Sequence, residues 1–88
     1  MQKTPPEIAE EIANKIKLRR KKLKISQTEL AQMSGVSLGS IKRFETKHEI
    51  AFSSLIKIAI VLDFGKDFDD LFVQKTYSSI SEVINENI

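Results

Sequence analysis

Two sets of residues in this chain have types and spacings that suggest chemistry, and they point in different directions. The first is acidic. Asp63-Phe64-Gly65 spells the metal-holding tripeptide of protein kinases, but 88 residues cannot contain that fold and its companion motifs are missing. Asp63, Asp67, Asp69 and Asp70 lack the alternating spacing of a calcium loop. His48, the one histidine, has no Ser, Cys or metal-ligating partner at a productive spacing. No catalysis, metal site or cofactor is predicted from these residues. The second set is basic. Arg19 to Lys24 holds five bases in six residues, and Lys42, Arg43 and Lys47 follow. Net charge is +2, distributed as +5 over residues 1–25, 0 over 26–50, −1 over 51–75 and −2 over 76–88. A basic front and an acidic back suit a polyanion on one side only. Arg19, with Lys22 or Lys24, is a candidate for phosphate contacts; equally, such a run can be a solvated helix face.

The elements that must position these bases are helical. Pro5 and Pro6 suit a first helical turn, where a missing N–H costs nothing. Ile12, Ile16 and Leu23 then share one narrow arc with Arg20 at its edge, predicting a first helix that ends near Lys24. Ser26 and Glu29 make a Ser-x-x-Glu capping box that starts a second helix at Gln27. Its apolar side is Leu30, Ala31 and Met33, and Gly35 ends it as a left-handed C-cap. Ser37 caps a third helix to about Thr46, with Ile41 and Phe44 inward. Ser53 or Ser54 caps a fourth, Leu55 to Leu62, apolar almost all round. Asp67 with Asp70 caps a short fifth, ending near Phe72. Phe52, Phe64, Phe68 and Phe72 are expected in the core. Ser79 to Glu82 suits the start of a last helix over 80–87, or Tyr77 to Ile80 an edge strand.

The informative unit runs from Ser26 to Glu45: two capped helices joined by a tight turn. Ala31 is small where they cross, Gly35 supplies the positive φ, and Val36 and Ile41 fill the angle between them. That geometry projects the start of the second helix outward, where a DNA major groove can accept it. Gln27, Leu30-Ala31, Gly35-Val36-Ser37, Ile41, Glu45, Leu55, Ile58-Ala59 and Leu62 stand at fixed spacing over sixty residues. In this the stretch closely resembles the Cro and phage-repressor helix-turn-helix family, also called the XRE family. The resemblance implies an all-α, five-helix domain with a family-like core at 12–72 and an extension at 73–88.

The resemblance also implies roles. Ser37, Leu38 and Gly39, with Lys42 and Arg43 one turn on, stand where the family reads bases. Gln27 stands where it touches a phosphate, and Lys47 and His48 follow in the loop where further phosphate contacts fall. Arg20 and Glu45 resemble a family pair in which a first-helix arginine meets the glutamate ending the recognition helix. A charge beside an apolar stripe needs such a partner. The chain departs from the pattern at Gly39, which removes one base-reading side chain. It departs again at Thr46-Lys47-His48-Glu49, which lacks the usual glycine and proline, and at Asp63 to Asp67, a longer connection than usual.

Two functions fit. One is a sequence-specific transcriptional repressor binding a palindromic operator as a homodimer. The other is an antitoxin, similar to HipB-like antitoxins, that restrains a toxin partner and represses its own operon. A degenerate helix-turn-helix that mediates protein contacts alone is a third reading, favoured by Gly39. The dimer or partner interface is expected at Ile60, Phe72, Tyr77 and Ile80; alternatively the tail folds back over Ile60 within one subunit. With no cysteine, no apolar run after Met1 to Pro6, and no apolar stretch longer than Ile58 to Leu62, a cytoplasmic, bacterial or phage-encoded protein is expected.

Overall fold

A computed structural model describes residues 2–73, which form five helices: α1 Pro5–Lys22, α2 Gln27–Ser34, α3 Leu38–Lys47, α4 Phe52–Val61 and α5 Gly65–Asp69. Among the described residues there is no strand, and no helix is long and apolar enough to cross a membrane. Tyr77 and Ile80, and the alternatives weighed for 77–87, lie outside the described residues.

Local chemistry sets most helix starts. Thr4 caps α1 through a reciprocal box: its hydroxyl accepts from the Glu7 amide at 3.3 Å, and Glu7 Oε1 accepts from the Thr4 amide at 2.9 Å. Ser26 and Glu29 repeat the arrangement on α2, at 3.0 and 2.8 Å. Gly35 ends α2 at φ 76°, a conformation open to glycine at no steric penalty. Ser34 Oγ reinforces the turn by donating to the Leu30 carbonyl and accepting from the Val36 amide.

Two starts differ from expectation. α4 begins at Phe52 behind Ala51, with no side-chain cap, rather than at Leu55 behind a serine. A tertiary contact holds this end: the Phe52 ring meets Phe68 edge to face, centroids 6.1 Å apart. α5 begins at Gly65, ahead of Asp67, also without a side-chain cap, and ends at Asp69.

The core is Ala13 and Ile16 from α1, Leu30 from α2, Val36 from the turn, Ile41 and Phe44 from α3, and Ile58 and Leu62 from α4. The buried stripe of α1 is therefore Ala13, Ile16 and Arg20, while Ile12 and Leu23 are exposed. The face is turned by roughly 50° from the expected arc, at 3.6 residues per turn, because the paired Arg20 sits inside the stripe and not at its edge. Met33 is exposed as well, since an eight-residue α2 buries only Leu30 fully. The four phenylalanines expected in the core are not in it: Phe64 and Phe68 are half-buried, Phe52 and Phe72 exposed.

Several helices end without glycine. After α1, Lys24 takes φ 59° while Ile25 N–H bonds the Arg20 carbonyl and Lys24 N–H that of Lys21, both at 3.0 Å. After α4, Asp63 takes φ 64° with the same bond pattern from Phe64 to Ala59 and from Asp63 to Ile60. His48 also takes a positive φ, 64°, after α3, with its N–H bonded to the Phe44 carbonyl at 2.9 Å. A left-handed non-glycine residue costs about 1–2 kcal/mol. Lys24→Gly is therefore expected to stabilise the fold by about 0.5–1 kcal/mol after the loss of chain entropy in the unfolded state. The melting temperature followed by circular dichroism should rise by roughly 2–8 °C. An unchanged or lower value would show that this turn carries no strain.

Candidate nucleic-acid interface

α3 is the element to which the basic and polar candidates converge. Its inward face is Ile41, Phe44 and Glu45, all buried. At 100° per residue the opposite face carries Gly39, Lys42, Arg43 and Thr46, all exposed. Leu38 lies at the boundary and is half-buried. Ser37 is committed to the cap: its hydroxyl accepts from the Ser40 amide at 3.1 Å and donates to Ser40 Oγ at 2.8 Å. At Gly39 a Cβ would meet nothing within 4 Å, so neither a close approach nor a positive φ requires the glycine. Lys47 ends the helix and is exposed, and His48 follows at φ 64°.

A buried polar network fixes α3. Arg20 donates Nε to Glu45 Oε2 at 2.8 Å and Nη2 to Glu45 Oε1 at 3.0 Å, a two-pronged pair between side chains 9% and 3% exposed. Arg20 Nη1 donates to the Ile25 carbonyl at 2.9 Å, and Gln27 Nε2 donates to Glu45 Oε1 at 2.9 Å. One carboxylate thus binds α1, the first residue of α2, and α3. Among the described residues no buried side-chain polar atom lacks a partner. The Gln27 amide, placed in the phosphate set by resemblance, has its nitrogen engaged within this network.

Arg19 faces elsewhere. The basic run predicts a phosphate contact, but its Nη1 donates to the Leu62 carbonyl at 3.1 Å and its guanidinium lies 4.1 Å from the centre of the Phe64 ring. Arg19 closes the C-terminal end of α4, where backbone carbonyls are otherwise unpaired. One residue along a helix is a 100° rotation, so neighbouring arginines serve different partners.

Two features of the outer face were not expected from sequence. Arg43 is paired with Glu49: Nε and Nη2 both donate to Glu49 Oε1, at 3.1 and 2.6 Å. Arg43 and Glu49 line an open cleft of about 380 Å³ with Ser40, Ile50, Ala51 and Ser54, between α3 and the uncapped start of α4. A spacing of six residues carries no helical signal. Only the reversal at His48 brings the two side chains together.

Burial raises the pKa of Glu45, but hydrogen bonds from Arg20 and Gln27 and the charges of Arg20 and Lys17 outweigh it, leaving the carboxyl below its ordinary value. Backbone hydrogen bonds in the two capping boxes lower Glu7 and Glu29 as well. A carboxylate depressed in the folded state contributes stability above its unfolded pKa, and that contribution is lost as pH falls through the folded value. Stability is thus expected to be flat near neutrality and to decline below the ordinary carboxylate range. Glu45→Gln should shallow that decline. Glu45→Ala or Arg20→Ala should each cost about 3–5 kcal/mol, because each strands a buried charged or polar partner. A double-mutant cycle read by urea unfolding should show strong coupling; additive losses would mean that the pair does not act as a unit.

The HTH_3 helix-turn-helix family matches residues 16–68, from the second half of α1 through most of α5. No curated protein and no solved structure gives a significant match. The matched span holds the buried network, the α2–α3 turn and the whole outer face of α3. The chain belongs to the helix-turn-helix family of the Cro and phage repressors, the XRE family of DNA-binding regulators.

Proposed function

We propose that the chain is a sequence-specific transcriptional repressor that binds a palindromic operator as a homodimer. The observation that carries this reading is the outer face of α3: Lys42 and Arg43 are exposed on a helix whose inner face is locked to α1 and α2. In this reading Lys42 and Arg43 reach base edges, with Arg43 best suited to guanine. Leu38 offers apolar contact to a thymine methyl, Gly39 lets the backbone approach closely, and Ser37 stands beside the bases while its hydroxyl holds the cap. Gln27, Lys47 and His48 fix the register on phosphates. Arg19 has no part in it, being bound to the end of α4.

A homodimer follows from the need for two recognition helices, since half-sites lie about 34–36 Å apart on one face of DNA. The face that supports it is apolar. Phe52, Ile56 and Ile60 share one side of α4 at four-residue spacing, with Phe52 61% and Ile60 62% exposed. Phe68 lies against Phe52, and Leu71, Phe72 and Val73 continue as exposed apolar residues after α5. Contiguous apolar surface of this kind marks a protein contact. The same face would serve an antitoxin against a toxin partner, which is the second reading.

Selection of genomic fragments by the purified protein should return a sequence with two-fold symmetry. On that site Arg43→Ala should cost about 1–3 kcal/mol and relax one base position in each half. Unchanged specific binding at fixed salt would remove Arg43 from the groove.

Ile60→Lys should convert a sedimenting dimer to a monomer and weaken the full site far more than a half-site. A wild-type chain that stays monomeric at high concentration on a single half-site would remove the homodimer. A monomer that gains a protein partner in native pull-downs would favour the antitoxin.

A further inference from the structure

We propose that Glu49 is a specificity-determining residue, one that closes one edge of the Arg43 guanidinium and presents the other to a guanine. This rests on the DNA-binding reading above and goes beyond it by assigning a role to a carboxylate outside the recognition helix. A guanidinium carries five N–H groups in a planar fork. Glu49 Oε1 takes the side edge, accepting from Nε at 3.1 Å and Nη2 at 2.6 Å. The Nη1–Nη2 end edge is left, with the spacing that meets O6 and N7 of a single guanine. Fixing the fork beforehand lowers the rotamer entropy lost on contact.

The position of the pair argues against a purely structural role. Both side chains are about two-thirds exposed, at 66% and 63%, and exposed ion pairs contribute little to stability. The pair therefore acts chiefly on what approaches from outside. Where the facing base is guanine, Arg43 gains two hydrogen bonds without releasing Glu49. Where it is not, no such bonds offset the negative charge that Glu49 brings close to DNA, and the held fork cannot swing to another acceptor. Glu49 thus weakens every wrong register more than the right one, which is specificity gained by a repulsive element.

Glu49→Gln in the full chain, neutral and nearly the same shape, is the test. Wild type and variant are titrated at fixed salt on the selected duplex, on the same duplex with the guanine facing Arg43 replaced, and on an unrelated duplex. The variant should bind the unrelated duplex about 3–10-fold more tightly, and its preference for the guanine should fall by at least about 5-fold. In the free protein the Arg43 Nε–H resonance should be sharp in wild type and broadened by exchange in the variant. If wild type discriminates and the variant discriminates equally, the role of Glu49 is overturned and the DNA-binding reading stands. If wild type prefers no duplex at all, both fall together.

Discussion

The guanidinium of Arg20 reaches from α1 across the core to the carboxylate of Glu45 on the inner face of α3, and a third helix joins through Gln27. Each partner sits where an isolated charge would be strongly disfavoured, so each is tolerable only while the others are in place. A wholly apolar contact could hold the helices together equally well, but it would lack the directional restraint of hydrogen bonds, which here span 2.8–3.0 Å. The network's value therefore lies in the rotational setting of α3, which decides which residues stand at the outer face. The Arg20 Nη1 bond to the Ile25 carbonyl extends the same control to the α1–α2 turn and hence to the capping box that starts α2.

A second arginine makes the corresponding connection at the other side of α1. By binding the Leu62 carbonyl and covering Phe64, Arg19 ties α1 to the end of α4 and to the start of the connection to α5. The two arginines thus divide the molecule. One ties α1 to α3, and the other ties α1 to the helix that carries the apolar face.

What was legible in the sequence was the chemistry of chain reversals and the family spacing. Ser26 with Glu29, Gly35, and Ser37 each act within four residues, and each appears in the structure at its expected position. Thr4-Pro5-Pro6-Glu7 carries an equally plain capping-box signature, beside prolines that by themselves account for a helix start. The phase of α1 was misjudged for a different reason. Counting apolar residues placed Arg20 at the margin, whereas a paired arginine can occupy the centre of a buried stripe. Neither contact had a local signal: Arg19 meets α4 across 43 residues, and Arg43 meets Glu49 only through the left-handed His48. Lys24 gives no hint of a left-handed conformation by type, and His48 and Asp63 are of types enriched there but too common elsewhere to place the turns.

Gly39 has a consequence for how such a regulator changes its target. It stands on the outer face of α3 in ordinary helical conformation, and the space where a side chain would begin is empty. Most positions in a small domain are constrained by packing, so altering what the surface recognises usually disturbs what holds it up. Here the two are separate. A serine, asparagine, glutamine or arginine could stand at this position with no clash inside the protein to resolve. The outer face of α3 can therefore change at this residue while the network beneath continues to set the helix.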